Sequence, residues 1–324
     1  MRTTSELFRL FNDYMASQRP NDGPKSLYEP YEYLLSIGGK RLRPLLVLMA
    51  YELYKKDAAD VLSQAYAIEL FHNFTLVHDD IMDAAALRRG SATVHTKYGT
   101  PSAILSGDVM LVYAYQHLAK NQTEKLPRLL TLFNAMAIGV CEGQQRDLDF
   151  ETRGDVTSDE YIRMIEQKTA LLLGSALEIG GLLAGASDED RYNLKCFGIN
   201  TGIAFQLLDD LLDAFGTEEE VGKTIGGDIA QNKKTILYLE AMGKGSDVQR
   251  ERLNGLYTAV HASNDAKVSD AKQLFTDTGA VENVRALVEQ YHAKAIACLD
   301  AVRVDKSFKS NLVEFSAMLM QRTR

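Results

Sequence analysis

The 324-residue chain is 46% hydrophobic and 25% charged, lacks tryptophan and carries a formal net charge of −8. This mix argues against a disordered or fibrous polypeptide, and the acidic balance against a broad basic surface for nucleic acid or anionic lipid. A polyanionic ligand would need a local basic pocket.

The N-terminal stretch from Met1 to Met15 carries Glu6 and Asp13 and has no apolar leader pattern. All six prolines, the last being Pro127, fall in the first part of the chain, so nothing interrupts long helices from Arg128 onward. Apolar residues recur at helical spacing through Val61, Leu62, Ala65, Ile68, Phe71 and Leu76, and again through Phe205, Leu208 and Leu212. Loops are expected at Ser36 to Gly39, Arg88 to Ser91, Glu151 to Gly154 and Gly216 to Gly227, and no run alternates as a strand should. The longest apolar run, Leu171 to Ala186, contains Glu178 and falls short of the roughly 20 residues a membrane-spanning helix needs. Cys141, Cys196 and Cys298 form no C-x-x-C pair and are expected as core thiols, not as a disulfide framework or zinc site. The expectation is one all-α domain over residues 1–324, with ten or more helices, no membrane span and a cytoplasmic location.

One acidic motif occurs twice, as Asp79-Asp80-Ile81-Met82-Asp83 and as Asp209-Asp210-Leu211-Leu212-Asp213. On a helix, positions i and i+4 share a face, so Asp79 pairs with Asp83 and Asp209 with Asp213. Each pair repels by about 0.2–0.5 kcal/mol unless a cation sits between the side chains. Oxygen-only ligands point to Mg²⁺ or a similar hard ion, with water and phosphate oxygens completing its shell, and the lack of a nearby Cys disfavours soft metals. The acidic runs Asp188 to Asp190 and Glu218 to Glu220 lack this periodicity and are expected as solvated surface.

Cations cluster beside glycine at Gly38-Gly39-Lys40-Arg41-Leu42-Arg43-Pro44 and at Arg88-Arg89-Gly90. Glycine lets a backbone approach a ligand closely, and arginine forks match phosphate oxygens. Lys168-Thr169 falls in a helical pattern; Gly222-Lys223 and Asp228 to Lys234 follow the second acidic motif. Gln206, Asp209 and Asp213 share one helix face, as do His72, Asp79 and Asp83.

These residues resemble the trans-prenyltransferases of the polyprenyl synthase family. The likeness runs from Gly38-Gly39-Lys40-Arg41-Leu42-Arg43-Pro44, through His72 to Asp83 and Arg88-Arg89-Gly90, to Gly143-Gln144, Lys168-Thr169, Phe205 to Asp210 and Gly222-Lys223. It implies the isoprenoid synthase fold, a helical bundle around a deep central cavity, usually a homodimer. It implies Mg²⁺-dependent head-to-tail condensation of isopentenyl diphosphate with dimethylallyl, geranyl or farnesyl diphosphate, by ionisation, condensation and elimination.

By the same resemblance Asp79, Asp83 and Asp209 would hold three Mg²⁺ ions on the allylic diphosphate, with Arg88, Lys168, Lys223 and Lys233 as its cationic partners. Lys40, Arg43, His72 and Arg89 would bind isopentenyl diphosphate, and Asp80, Asp210 and Asp213 would be supporting carboxylates. Thr169 and Gln206 would steady the cation or the proton transfer. Asn232-Lys233-Lys234 replaces the family's Gly-Lys pair, leaving Lys233 and Lys234 as alternatives for one contact.

Phe74 and Thr75 lie about 6–8 Å, and Phe71 about 12 Å, before Asp79 along the helix. An aromatic floor there resembles that of short-chain synthases and implies a C15 to C20 product, geranylgeranyl before farnesyl diphosphate. The competing readings are a longer-chain polyprenyl synthase, a class I terpene cyclase, a metal phosphohydrolase using His78-Asp79, a di-iron bundle using Glu69-x-x-His72 and Glu289-x-x-His292, and a non-catalytic partner subunit.

Overall fold

The computed structural model describes residues 2–18, 23–217, 225–258 and 264–321. The chain divides into two compact units: residues 1–133, 176–191 and 304–311 form the first, and 134–175, 192–303 and 312–324 the second.

The first unit contains α1 (Thr4–Ser17), α2 (Lys25–Ser36), α3 (Leu42–Glu52), a 3₁₀ turn (Ala58–Val61), α4 (Leu62–Met82), α5 (Val94–Tyr98) and α6 (Thr100–Ala119). Helix α4 is its central element. Every residue from Ala65 to Phe71 on it is buried, because α1, α3 and α6 all pack against it; apart from Glu69 the segment is apolar all round, as a helix that lies inside must be. The polar end of α4, from His72 to Asp83, thereby projects from a fixed base.

Between α4 and α5 a short antiparallel hairpin pairs β1 (Leu87–Arg88) with β2 (Ser91–Ala92), where the sequence suggested only a loop. Arg89 (φ 52°) and Gly90 (φ 75°) occupy its two turn positions, the conformation that two-residue hairpins favour because it follows strand twist.

The second unit holds most of α7 (Leu126–Thr152), then α8 (Ser158–Ile165), a π-helical turn (Glu166–Ala170) and α9 (Leu171–Ala184), whose second half belongs to the first unit. There follow α10 (Asp188–Phe215), α11 (Gly227–Ala230), α12 (Ile236–Lys244), α13 (Asp247–Thr258), α14 (Asn264–Asp277) and α15 (Ala280–Ala301). A 3₁₀ turn (Lys306–Lys309) of the first unit precedes α16 (Ser310–Met320). The core of the second unit gathers Leu207, Leu208, Leu211 and Leu212 of α10 with Ile236, Leu237, Phe275, Val281 and Val284. This packing fixes the rotation of α10, and so the direction of its aspartates.

Three expectations need correction. Cys141 is exposed, and Cys196 and Cys298 are only partly buried, so none is a core thiol. Asp188 to Asp190 is not all solvated surface: it forms the first turn of α10, where acidic residues complement the helix dipole, and Asp190 is buried with its backbone N–H donating to Ser187 Oγ at 3.1 Å. Helix α7 runs on through Thr152, so the loop there starts at Arg153. Among the described residues no helix is long and apolar enough to cross a membrane.

Candidate active site

Both acidic motifs lie at the C-terminal ends of long helices, α4 and α10. Unsatisfied carbonyls make that end the negative pole, where carboxylates are unfavourable and cations favoured. In the first unit Asp83 caps α4, its N–H donating to the Asp79 carbonyl at 2.8 Å. Asp79 is half-buried and Asp83 exposed, whereas Asp80 is buried and forked by Arg88, Nε at 2.8 and 2.9 Å and Nη2 at 2.6 Å.

The two basic stretches of this unit meet. Arg89 donates to the Gly38 carbonyl, and its guanidinium lies so close over Gly39 that a Cβ there would come within 2.6 Å of Nη1. With φ at 142°, Gly39 also adopts a backbone that favours glycine. Arg43 Nη1 is 3.1 Å from His72 Nε2. Burial, then the charge of Arg43 and of the neighbouring arginines, holds the His72 imidazole well below its ordinary range, so the ring is neutral and accepts from Arg43. Burial likewise pushes Arg43 down to about 10. Lys40 is exposed at the tip of the loop.

Farther back on α4, Phe71 is fully buried while Phe74 is half-buried. Phe74 sits between Phe71 at 5.6 Å and His78 at 4.8 Å, and Phe71 rests edge-on against Phe133 at 5.4 Å. Thr75 turns its hydroxyl back to the His72 carbonyl at 2.8 Å.

In the second unit, Lys168 and Thr169 sit in the π-helical turn, not in regular α-helix. Such turns are uncommon and recur at functional sites. Two glycines on neighbouring helices permit it: a Cβ on Gly143 would meet the Lys168 amide nitrogen at 2.4 Å, and one on Gly202 the Ala170 Cα at 2.6 Å. Lys168 Nζ pairs with Asp147. Thr169 Oγ1 donates to Gln206 Oε1 at 3.3 Å, Gln206 Nε2 to Asp210 Oδ1 at 3.1 Å, and Tyr161 O–H to Asp210 Oδ2 at 2.6 Å. Burial pushes the Asp210 carboxyl up to about 8, although both donors pull it down. Asp209 is half-buried. Asp213 is buried and accepts the Asp228 N–H at 3.0 Å. Gln144 is buried with neither amide atom partnered by protein, which costs free energy unless water or a ligand supplies the bonds.

Lys233 is half-exposed beside Asp228 at 3.9 Å, while Lys234 turns to the Arg153 carbonyl. The turn between them and α11 is held by buried Lys267 of α14, which donates to Asn232. Gly222 and Lys223, like Glu218 to Glu220, lie outside the described residues.

The donor chemistry fits a hard divalent ion. Carboxylate oxygens of both motifs stand at negative helix ends, where a cation is favoured, although among the described residues no group of three or more His, Cys, Asp or Glu gathers closely enough to hold an ion alone. Such an ion would fill its shell with water and phosphate oxygens, as Mg²⁺ does. The di-iron alternative loses its ligands. Glu69 pairs with Arg41, and His72 with Arg43. Glu289 and His292 line a cavity of about 560 Å³ together with Arg285 and with Leu208, Leu211 and Leu212, and His292 contacts Ser316.

Sequence reasoning missed Asp147, Tyr161 and Lys267, and considered Glu69 only as an iron ligand; each holds a predicted site residue or its loop. None stands within twenty residues of the group it holds, so spacing could not reveal it.

The polyprenyl synthetase family model matches residues 24–276. The chain is 37% identical over 305 residues to the geranylgeranyl diphosphate synthase of Methanosarcina mazei, covering 94% of this chain and 92% of that one. It superposes on a crystal structure of a geranylgeranyl pyrophosphate synthase with TM-score 0.94, 42% identity and full coverage of both chains. It also matches the Caulobacter crescentus polyprenyl synthase complexed with calcium and isoprenyl diphosphate, with TM-score 0.83, 29% identity and coverage of 99% and 94%. The fold and these likenesses place the chain among the all-α isoprenoid synthases. It belongs to the polyprenyl synthetase family, whose members act on isoprenoid diphosphates with a divalent metal.

Proposed function

We propose that this chain is a short-chain prenyltransferase, joining isopentenyl diphosphate head to tail to an allylic diphosphate and favouring geranylgeranyl diphosphate as product. One observation carries the reading: two acidic motifs at helix C-termini coexist with a separate cluster of guanidinium donors gathered on a glycine loop. A terpene cyclase needs no second diphosphate clamp, and Lys40, Arg43 and Arg89 supply one.

Asp79, Asp83 and Asp209 would hold Mg²⁺, three ions with substrates in place, and the bound metal would offset charge on the departing diphosphate. Arg88, Lys168, Lys223 and Lys233 fix the allylic diphosphate; Lys233 is preferred to Lys234, which is turned to a backbone carbonyl. Lys40, Arg43, Arg89 and neutral His72 orient isopentenyl diphosphate so that its double bond meets the allylic carbon as the C–O bond breaks. Thr169 and Gln206 present oxygen dipoles to the developing cation, and their bond to each other and to Asp210 keeps them in place. Released pyrophosphate takes the proton that completes the new double bond. We read residues 1–324 as one working domain, acting as a cytoplasmic homodimer.

The test is elongation of each allylic primer by purified protein with isopentenyl diphosphate and Mg²⁺, read by product mass. Absence of any elongated diphosphate would overturn the reading, as would full activity in Asp79→Ala or Asp209→Ala.

A further inference from the structure

A buried acid, Glu69, holds the glycine loop from beneath. Arg41, flanked in sequence by Lys40 and Leu42, adopts φ 48°, ψ 36°, a left-handed conformation that a bulky residue keeps only when its surroundings impose it. Its side chain turns inward and is 3% exposed. There Nη1 meets Glu69 Oε1 at 2.5 Å and Nη2 meets the Leu35 carbonyl at 2.6 Å. Glu69 is itself fixed by Asn73, whose Nδ2 donates to its Oε1 at 3.1 Å and to its carbonyl at 2.7 Å.

Glu69 and His72 stand three residues apart on α4, hence on one face. Arg41, the N-cap residue of α3, and Arg43, in the first turn of that helix, stand two apart, and each takes one of these partners. The left-handed turn at Arg41 therefore sets the register in which Arg43 reaches His72. Lys40, the residue before Arg41, is exposed. Electrostatics point the same way. Arg41, Arg43, Arg88 and Arg89 all bear on His72, Asp80 answers Arg88, and the charge of Glu69 acts in favour of the protonated forms of both Arg43 and Arg89.

We propose that Glu69, acting through Arg41 and Asn73, is the positioning residue that sets the affinity of the Lys40, Arg43, Arg89 clamp for isopentenyl diphosphate. This rests on the substrate reading above. Glu69 touches no substrate; it fixes the loop register and supplies the countercharge that lets several guanidiniums stay close together before the diphosphate arrives.

The test compares wild type, Glu69→Gln and the double variant Arg41→Met/Glu69→Met. Replacing a buried ion pair by apolar side chains of similar size is often neutral for stability, so the double variant stays folded even where the single one does not. Binding of isopentenyl diphosphate is measured by calorimetry without allylic primer, so that no turnover occurs, and KM is measured for each substrate separately. We expect both variants to bind isopentenyl diphosphate at least tenfold more weakly and to show a matching rise in its KM. KM for the allylic primer should change less than twofold, and the double variant should keep the wild-type melting temperature. Wild-type affinity in the folded double variant would overturn the proposal, as would an equal rise in both KM values, which marks general loosening. A wild-type chain that binds no isopentenyl diphosphate would instead overturn the substrate reading, and this inference with it.

Discussion

Two phenylalanines that look equivalent in sequence should respond oppositely to truncation. Phe71 is fully buried, with rings at 5.6 and 5.4 Å on two sides. Its replacement by alanine leaves a cavity and should cost about 3–5 kcal/mol. Phe74 is half-buried and leans on Phe71 and His78, so its replacement should cost only about 1–2 kcal/mol, in proportion to the smaller area withdrawn from water. On the floor reading, Phe74, as the accessible ring, would meet the growing chain, and Phe71 would support it from behind. Phe74→Ala should therefore lengthen the product with a modest fall in the urea midpoint, whereas Phe71→Ala should mainly lower that midpoint. Chromatography of dephosphorylated products and urea unfolding of both variants decide the matter. Unchanged chain length in Phe74→Ala would remove the floor, and a longer product from Phe71→Ala at full stability would reverse the assignment.

Gly143→Ala should push the π-helical turn away from α7, because the new methyl would lie 2.4 Å from the Lys168 amide nitrogen; expect about 1–3 kcal/mol lost by overpacking and kcat reduced more than KM for isopentenyl diphosphate. The His117 contribution to stability should fall as pH drops from about 6.5 to about 4, opposed in part by Asp210, whose raised carboxyl keeps its proton in the folded state over the same range. In that window an unfolded histidine takes a proton that folded His117, pushed down to about 4 by burial and then by Lys120, does not. His72 is lowered in the same direction. Urea unfolding across this pH range checks it, and His117→Gln should flatten part of the slope.

The helical architecture was legible because its evidence is local: proline silence after Pro127 and apolar residues at spacings of three and four. The aspartate motifs were legible for the same reason, since i and i+4 share a face in any helix. What stayed hidden is carried by long-range partners. Arg41 reads as one more cation in a basic run, yet it is turned inward to Glu69, 28 residues away. Lys168-Thr169 reads as ordinary helix, and only close packing by Gly143 and Gly202 marks the π turn. Lys233 and Lys234 are indistinguishable in sequence, and a carbonyl at Arg153 separates them.

The two acidic motifs share a spelling but divide their work differently. In each, the middle aspartate is buried against a protein donor: Asp80 by Arg88, Asp210 by Tyr161. The last aspartates diverge, because α4 ends at Met82 and leaves Asp83 exposed, whereas α10 continues to Phe215 and keeps Asp213 inside, tied to the Asp228 N–H. On the proposed reading the first motif would offer Asp79 and Asp83 to a metal, while in the second Asp213 would be a strut for the segment leading to Lys233. Asp83→Asn should raise the Mg²⁺ concentration for half-maximal turnover severalfold and leave unfolding unchanged. Asp213→Asn, by weakening a hydrogen bond to a charged acceptor, should cost about 1.5–3 kcal/mol and leave the Mg²⁺ requirement near that of wild type. If Asp213→Asn shifts the Mg²⁺ curve as far as Asp83→Asn at full stability, the aspartate is a ligand and the strut assignment is wrong.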